Sequence, residues 1–404
     1  PILINHYLVI PPERLSAAHW IYQFTVIGFV ISTMVVPYTS VVISYEKMDV
    51  FAYVSLLDAG LKLAVVFLLY ITPFDKLITV VFLTVLAHLI SNGIYVLLCH
   101  YKIKTCKYLK CWDRELLKKL SSFMGWNLFG SATSVLNVQG QSILLNMFFG
   151  PLINAAKAIA DNVNSLVNSF VSNFYMAVGP QIVKTYANED REYTLQIVVY
   201  STKFAFFLVS MIGIPIILNM EPLLQLWLGK DQVTEYMVLF AQWTLIQSMV
   251  QTYDYPITQT VRATGDIKNY QIITGVMMLM FIPVCYVAFK LGASAITSMI
   301  ILTVITFVVL HYRIIKLTKI LNISSLNYYL RILLPSVIVV VPAVLLSYML
   351  PICNDTIVML LLSLASSFAI TLVCALFLGM NKSERQYAYS FVLRFLKREK
   401  KEQE

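Results

Sequence analysis

Charge is scarce in this chain, and the common signatures of enzyme chemistry are missing. Only 13% of its 404 residues are Asp, Glu, Lys or Arg, about half the roughly 25% of an ordinary globular domain. No G-x-x-x-x-G-K-[ST] occurs, which excludes ATP hydrolysis by a P-loop. H-E-x-x-H and G-x-S-x-G are absent too, removing the zincin and nucleophile-elbow readings. Six cysteines are present, but Cys106 and Cys111 lack a zinc spacing and His100 does not complete one. The expectation is therefore no metal, no cofactor and no enzymatic activity. The longest polar loop has about 20 residues, too few to fold alone around a catalytic core. The alternating ten-residue segments of a membrane β-barrel are also absent.

Hydrophobic residues make up 59% of the chain, and they come in membrane-length runs. Eleven runs of about 20 residues are apolar enough to span a bilayer. They lie near 20–43, 51–71, 77–98, 122–149, 153–180, 195–219, 234–257, 269–289, 293–312, 329–350 and 356–379. In lipid each span must satisfy its own backbone hydrogen bonds, so the fold class is all-α, a polytopic helix bundle of about 11 spans. If the loop after the third run is cytoplasmic, inside segments hold 23 of the 30 lysines and arginines and outside segments hold four. That asymmetry follows the positive-inside rule and places the C-terminus in the cytoplasm. The net charge of +9 is then a matter of topology and of attraction to anionic inner-leaflet lipid, with the bilayer as partner and no nucleic acid.

Five blocks follow along the chain. Residues 1–98 form a partial N-terminal lobe of three spans, and 99–120 a basic, amphipathic cytoplasmic connector lying on the membrane surface. Residues 121–312 form a lobe of six spans, 313–379 a second connector and a transmembrane hairpin, and 380–404 a basic cytoplasmic tail. An odd span count with an inside C-terminus starts residue 1 outside. Together with an opening PILINHYLVIPPERL, this leads us to expect one or more leading spans to be missing.

The richest stretch is Asn154 to Phe174. At about 100° per residue, Asn154, Lys157, Asp161, Asn164, Ser165, Asn168 and Ser172 share one arc, opposite Ile159, Val163, Leu166, Val167, Phe170 and Phe174. A membrane-length helix with one wet face is expected to line a polar path. Charges within spans are functional candidates by default. Asp58 and Lys62 stand at i and i+4 on one helix face, and Lys157 and Asp161 repeat the spacing. The lysines would attract an anionic headgroup, and the two carboxylates would exchange a coupling H+ or Na+. A buried pair without ligand contact is the structural alternative. On the preceding span Asn127, Ser131, Ser134 and Gln141 fall near one face, suited to sugar hydroxyls or to interhelical hydrogen bonds. Asp254, beside Pro256, reads as a solvated loop carboxylate.

Several segments resemble a bacterial polysaccharide export family. LSAAHWIYQF, the VPY of the first span and YEKMDVFAYVSLLDAGLKL resemble its N-terminal-lobe spans. GWNLFGSATSVLNVQGQSILLNMFFGPLINAAKAIADNVNSLVNSFVSNFYMAVGPQIVKTYA resembles the start of its second lobe, and RATGDIKNYQ a cytoplasmic loop. Together they are similar to an O-antigen or capsular-polysaccharide flippase, in the superfamily that also contains the multidrug and toxin extrusion exporters. The resemblance implies two six-helix lobes around a central cavity plus a C-terminal helix pair, with the first three spans lacking here. It implies movement of an undecaprenyl-diphosphate-linked oligosaccharide across the bacterial inner membrane by alternating access, near glycan polymerase and ligase proteins. Lys62 and Lys157 match the family's cationic cavity residues. Family members often carry arginine and glutamine where this chain has Lys157 and Asp161, which lowers the cavity's charge. The alternatives are a cation-coupled multidrug exporter and a non-transporting scaffold of the glycan assembly complex.

Overall fold

The computed structural model describes residues 15–73, 75–102, 112–349, 356–381 and 384–386. Every regular element among them is a helix, with no strand. The chain divides into two units, Pro1–Trp112 and Asp113–Glu404.

The first unit holds α1 (Leu15–Ser44), α2 (Met48–Ile71) and α3 (Lys76–Lys102). Both α1 and α2 pack on α3. Their shared core is small, built on Val35, Val42, Val54, Tyr95 and Cys99. Most other large apolar side chains face outward, including Phe29, Tyr53 and Leu56. Such faces would drive aggregation in water and are ordinary in lipid. The hydroxyls of α1 answer the same constraint. Thr25, Thr33, Ser40 and Ser44 each donate to the carbonyl four residues back, so no polar path is needed to satisfy them. Pro37 sits inside α1 without ending the helix.

The second unit begins with α4 (Arg114–Phe149) and α5 (Pro151–Ala187), of 36 and 37 residues. Asp113 caps α4 by accepting from the Leu116 N–H at 3.0 Å. Gly150 joins the two helices at φ 82°, a left-handed conformation that costs glycine little. Its N–H closes on the Asn146 carbonyl, and Pro151 opens α5 at a position that needs no donor. There follow α6 (Arg191–Leu218), α7 (Met220–Leu228), α8 (Glu235–Gln251), α9 (Asp254–Ala263), α10 (Lys268–Leu279) and α11 (Phe281–Lys290). α12 (Thr297–Leu321) precedes the hairpin of α13 (Ser325–Tyr348) and α14 (Ile357–Gly379). The core centres on α6, two-thirds buried, with α5, α8, α13 and α14 packed around it.

Among the described residues, eight helices are long and apolar enough to span a membrane: α1, α2, α3, α6, α10–α11, α12, α13 and α14. The other three expected spans fall on α4, α5 and α8–α9. Polar stripes dilute the first two, and the third is interrupted between Gln251 and Asp254. Residues 99–102 of the expected surface connector complete α3, residues 114–120 open α4, and 103–111 lie outside the described residues. Likewise 313–321 are the last turns of α12. Within the expected tail, Glu384 is tied to α6. Both of its carboxylate oxygens accept from Lys203 Nζ at 2.9 Å, and Oε2 also accepts from the Asn381 N–H.

Candidate functional site: polar clusters inside the helix bundle

In the first unit the expected i, i+4 pair forms, with Lys62 Nζ 2.7 Å from Asp58 Oδ2. Two residues of α3 complete the cluster and escaped the sequence reading. Ser91 Oγ donates to Asp58 Oδ1 at 3.1 Å, and His88 Nδ1 lies 3.7 Å from the same oxygen. Their i, i+3 spacing in α3 was the available signal. Asp58 thus has neighbours able to hold it charged or to exchange a proton with it, and Lys62 stays half exposed.

In the second unit part of the polar stripe of α5 turns into the protein, while Ser165 and Ser172 stay exposed. Lys157 is buried and pairs with Asp161 on the next turn. Asn154 Oδ1 accepts from Ser142 of α4 at 2.7 Å, and Asn168 Oδ1 accepts from Ser248 of α8 at 2.8 Å. Asn164 Oδ1 is buried and has no partner among the described residues. At the edge of the stripe Ser165 and Ser172 are exposed and bond to their own helix. The apolar side is divided: Leu166 and Phe170 face outward, 69% and 57% exposed, while Val167 is buried and Ile159, Val163 and Phe174 pack against the core. Two of the seven residues of the stripe, Asn154 and Asn168, are thus held by interhelical hydrogen bonds. Near its far end Tyr175 donates to the Thr252 carbonyl and stacks on Tyr255 with ring centroids 4.4 Å apart.

Asn127, Ser131 and Ser134 of α4 come together as expected, on a cavity of about 170 Å³. Across it stand Thr258 and Arg262 of α9, Tyr270 and Gln271 of α10, and Arg313 of α12. α4 and α10 meet closely because Gly130 has no side chain: a Cβ there would run into the Gln271 amide. Gln141, placed on the same face by periodicity, does not join them. It is 3% exposed and donates to Ser298 Oγ at 3.3 Å. It lies fourteen residues beyond Asn127, about 21 Å along the helix. Asp254 is not a solvated carboxylate. α9 starts at Asp254 and brings it onto α12, where it pairs with Arg313. That guanidinium sits 5.9 Å from the Tyr270 ring centroid, and its Nε is buried with no partner among the described residues. Thr258 and Tyr270 share a hydrogen bond of 2.7 Å.

The cavity presents amides, hydroxyls and two guanidiniums, one of them paired with Asp254, and no carboxylate lines it. Such a lining solvates hydroxyl-rich or anionic groups far better than cations. No group of three or more His, Cys, Asp or Glu able to hold a metal occurs among the described residues. Cys106, Cys111 and Cys353 lie outside them.

Residues 130–287, from the middle of α4 to α11, match the MatE family model. Up to about four-fifths of the chain superposes on solved MATE structures. One in complex with MaL6 gives a TM-score of 0.67 at 11% identity, covering 79% of this chain and 75% of the other. One in a bent conformation gives 0.65 at 11% identity, covering 78% and 71%. The fold is that of the MATE transporters. A further match is the outward-facing conformation of a multidrug resistance MATE family transporter of the MOP superfamily, with a TM-score of 0.58 at 12% identity, covering 77% of this chain and 82% of the other. No curated protein matches the chain by sequence. With eight apolar spans among the described residues, the protein is a multi-pass membrane protein with a MATE-like fold.

Proposed function

We propose that the protein is a transporter of the MOP superfamily that flips a lipid-linked oligosaccharide across the bacterial inner membrane, with its C-terminus in the cytoplasm. The observation that carries this reading is the lining of the unit 2 cavity, where Asn127, Ser131 and Ser134 face Arg262 and Arg313 with no unpaired carboxylate among the lining residues. Asp58 and Asp161 are likewise each paired with a lysine, an arrangement that disfavours a cationic cargo. The long resemblance across Gly125–Ala187 points the same way. Amides and hydroxyls would receive the glycan, while Lys62 in the first unit and Lys157 in the second would each attract an anionic group. The polyprenyl chain stays in lipid, so only the headgroup needs a wet path. The proposed mechanism is alternating access, with Asp58 or Asp161 as the group that exchanges H+ or Na+.

The MATE fold accommodates a second reading equally well, an ion-coupled exporter of drugs, since one matching structure is a multidrug resistance transporter. Complementation separates them. Expressed as the full-length gene in a flippase-null strain with its native glycan pathway, the protein restores surface glycan. Failure there, with drug resistance conferred on a pump-deficient strain, replaces the proposal with the exporter.

A further inference from the structure

A second pocket, of about 880 Å³, opens at the start of α4. One face of that helix lines it. Lys118, Lys119, Ser122, Phe123 and Trp126 recur three and four residues apart and therefore share a side. Along that face the chemistry changes in order: ammonium groups first, then a hydroxyl, then two aromatic rings. From Lys118 to Trp126 is about 12 Å of rise. The opposite wall is the turn between α9 and α10, which ends in Lys268, whose Nζ lies 5.4 Å from the Trp126 ring centroid. The floor is fixed, because Phe123 and Trp126 pack on the buried cluster of Val261, Ile267 and Tyr270. The three lysines are exposed. Two acids, Glu115 and Asp266, also line the pocket, leaving it with one net positive charge.

The geometry points to a binding site for the headgroup of an anionic phospholipid of the inner leaflet. The pocket lies on the side where lysine and arginine concentrate, the side that faces anionic lipid. Its gradient from ammonium to indole runs from water toward hydrocarbon, parallel to the polarity gradient of a phospholipid. A phosphate would lie beside Lys118 and Lys119, with the glycerol beside Ser122 and the upper acyl chain along Phe123, while Lys268, over the Trp126 ring, adds its charge from the opposite wall. A soluble acidic peptide would match the lysines but not the aromatic end. The site is separate from the cavity holding Asn127 and Arg313, and it stands whether the cargo is a glycan or a drug.

The test uses the purified full-length protein titrated with short-chain phosphatidylglycerol or phosphatidylethanolamine, with bound lipid counted by native mass spectrometry. Wild type should retain one tightly bound phosphatidylglycerol. Each of Lys118→Gln, Lys119→Gln and Lys268→Gln should weaken that binding by roughly fivefold, the value of one lysine near an anionic surface. Lys316→Gln and Lys319→Gln, on the same side but outside the pocket, should leave it unchanged. Melting without lipid confirms that the variants fold, which is expected for exposed lysines. Equal weakening by the Lys316 and Lys319 changes would reduce the effect to diffuse surface charge and overturn the site. So would unchanged binding in the pocket variants. Equal affinity for phosphatidylethanolamine would overturn the anionic class.

Discussion

Lys203 and Glu384 are separated by 181 residues, yet they form a buried ion pair. Each side chain is only 5% exposed, so solvent screening is slight. Glu384 accepts two bonds from the ammonium and one from the Asn381 N–H. Lys203→Met removes the cation, keeps most of the volume and leaves a buried carboxylate with a single neutral donor. Breaking one partner of a buried pair costs about 3–5 kcal/mol. At roughly 2 °C per kcal/mol for a unit of this size, the melting midpoint should fall by about 6–10 °C. Replacing both partners removes the uncompensated charge, so Lys203→Met with Glu384→Leu should recover most of the loss. The assay is thermal melting of the detergent-solubilised protein, followed as the soluble fraction on size exclusion. A Lys203→Met midpoint within about 1 °C of wild type would refute the burial argument. So would a double variant that loses the sum of the two single losses, since coupled partners must be non-additive.

Other sites give sharper or smaller responses. Gly130→Leu should disrupt the contact of α4 with α10 and cost about 1–3 kcal/mol by overpacking, and Gln271→Ala should partly relieve it; melting of both variants checks this. Ser248→Ala removes the donor to Asn168, and its cost should be near 0.6 kcal/mol, the membrane average, a shift of only about 1 °C. Arg262→Ala should lower glycan export roughly tenfold at matched membrane expression, as loss of one charge-assisted contact worth about 1.5 kcal/mol would; surface glycan labelling reads it. Asp254→Asn should destabilise by leaving Arg313 unpaired, and Arg313→Met in the same chain should restore the melting midpoint.

The outward-facing spans were legible because their runs carry no Asp, Glu, Lys or Arg, as in α1 and α14. The stripe of α5 was legible because 100° per residue needs only the sequence. Its partners were not. Periodicity says that Asn168 shares a face with Asn164, but it cannot say that Ser248 will stand opposite. The same limit hid His88 and Ser91 beside Asp58, and the pairing of Asp254 with Arg313. Gln141 shows a different failure. Its angle placed it with Asn127 and Ser131, but angle ignores height, and two helix positions about 21 Å apart need not share a cavity. Lys203 was visible as a charge within a span, but its partner lay beyond the last hairpin, where nothing in sequence spacing connects them.

The central claim is that the polar clusters serve a glycan-bearing lipid. Its most direct test is reconstitution of the full-length protein in proteoliposomes carrying a labelled lipid-linked oligosaccharide, with an impermeant glycan-binding probe outside. The account predicts that an imposed ion gradient exposes the label to the probe, and that Lys62→Ala and Lys157→Ala slow that exposure. Proteoliposomes that leave the label sealed inside, yet move a cationic dye against its gradient, would contradict it.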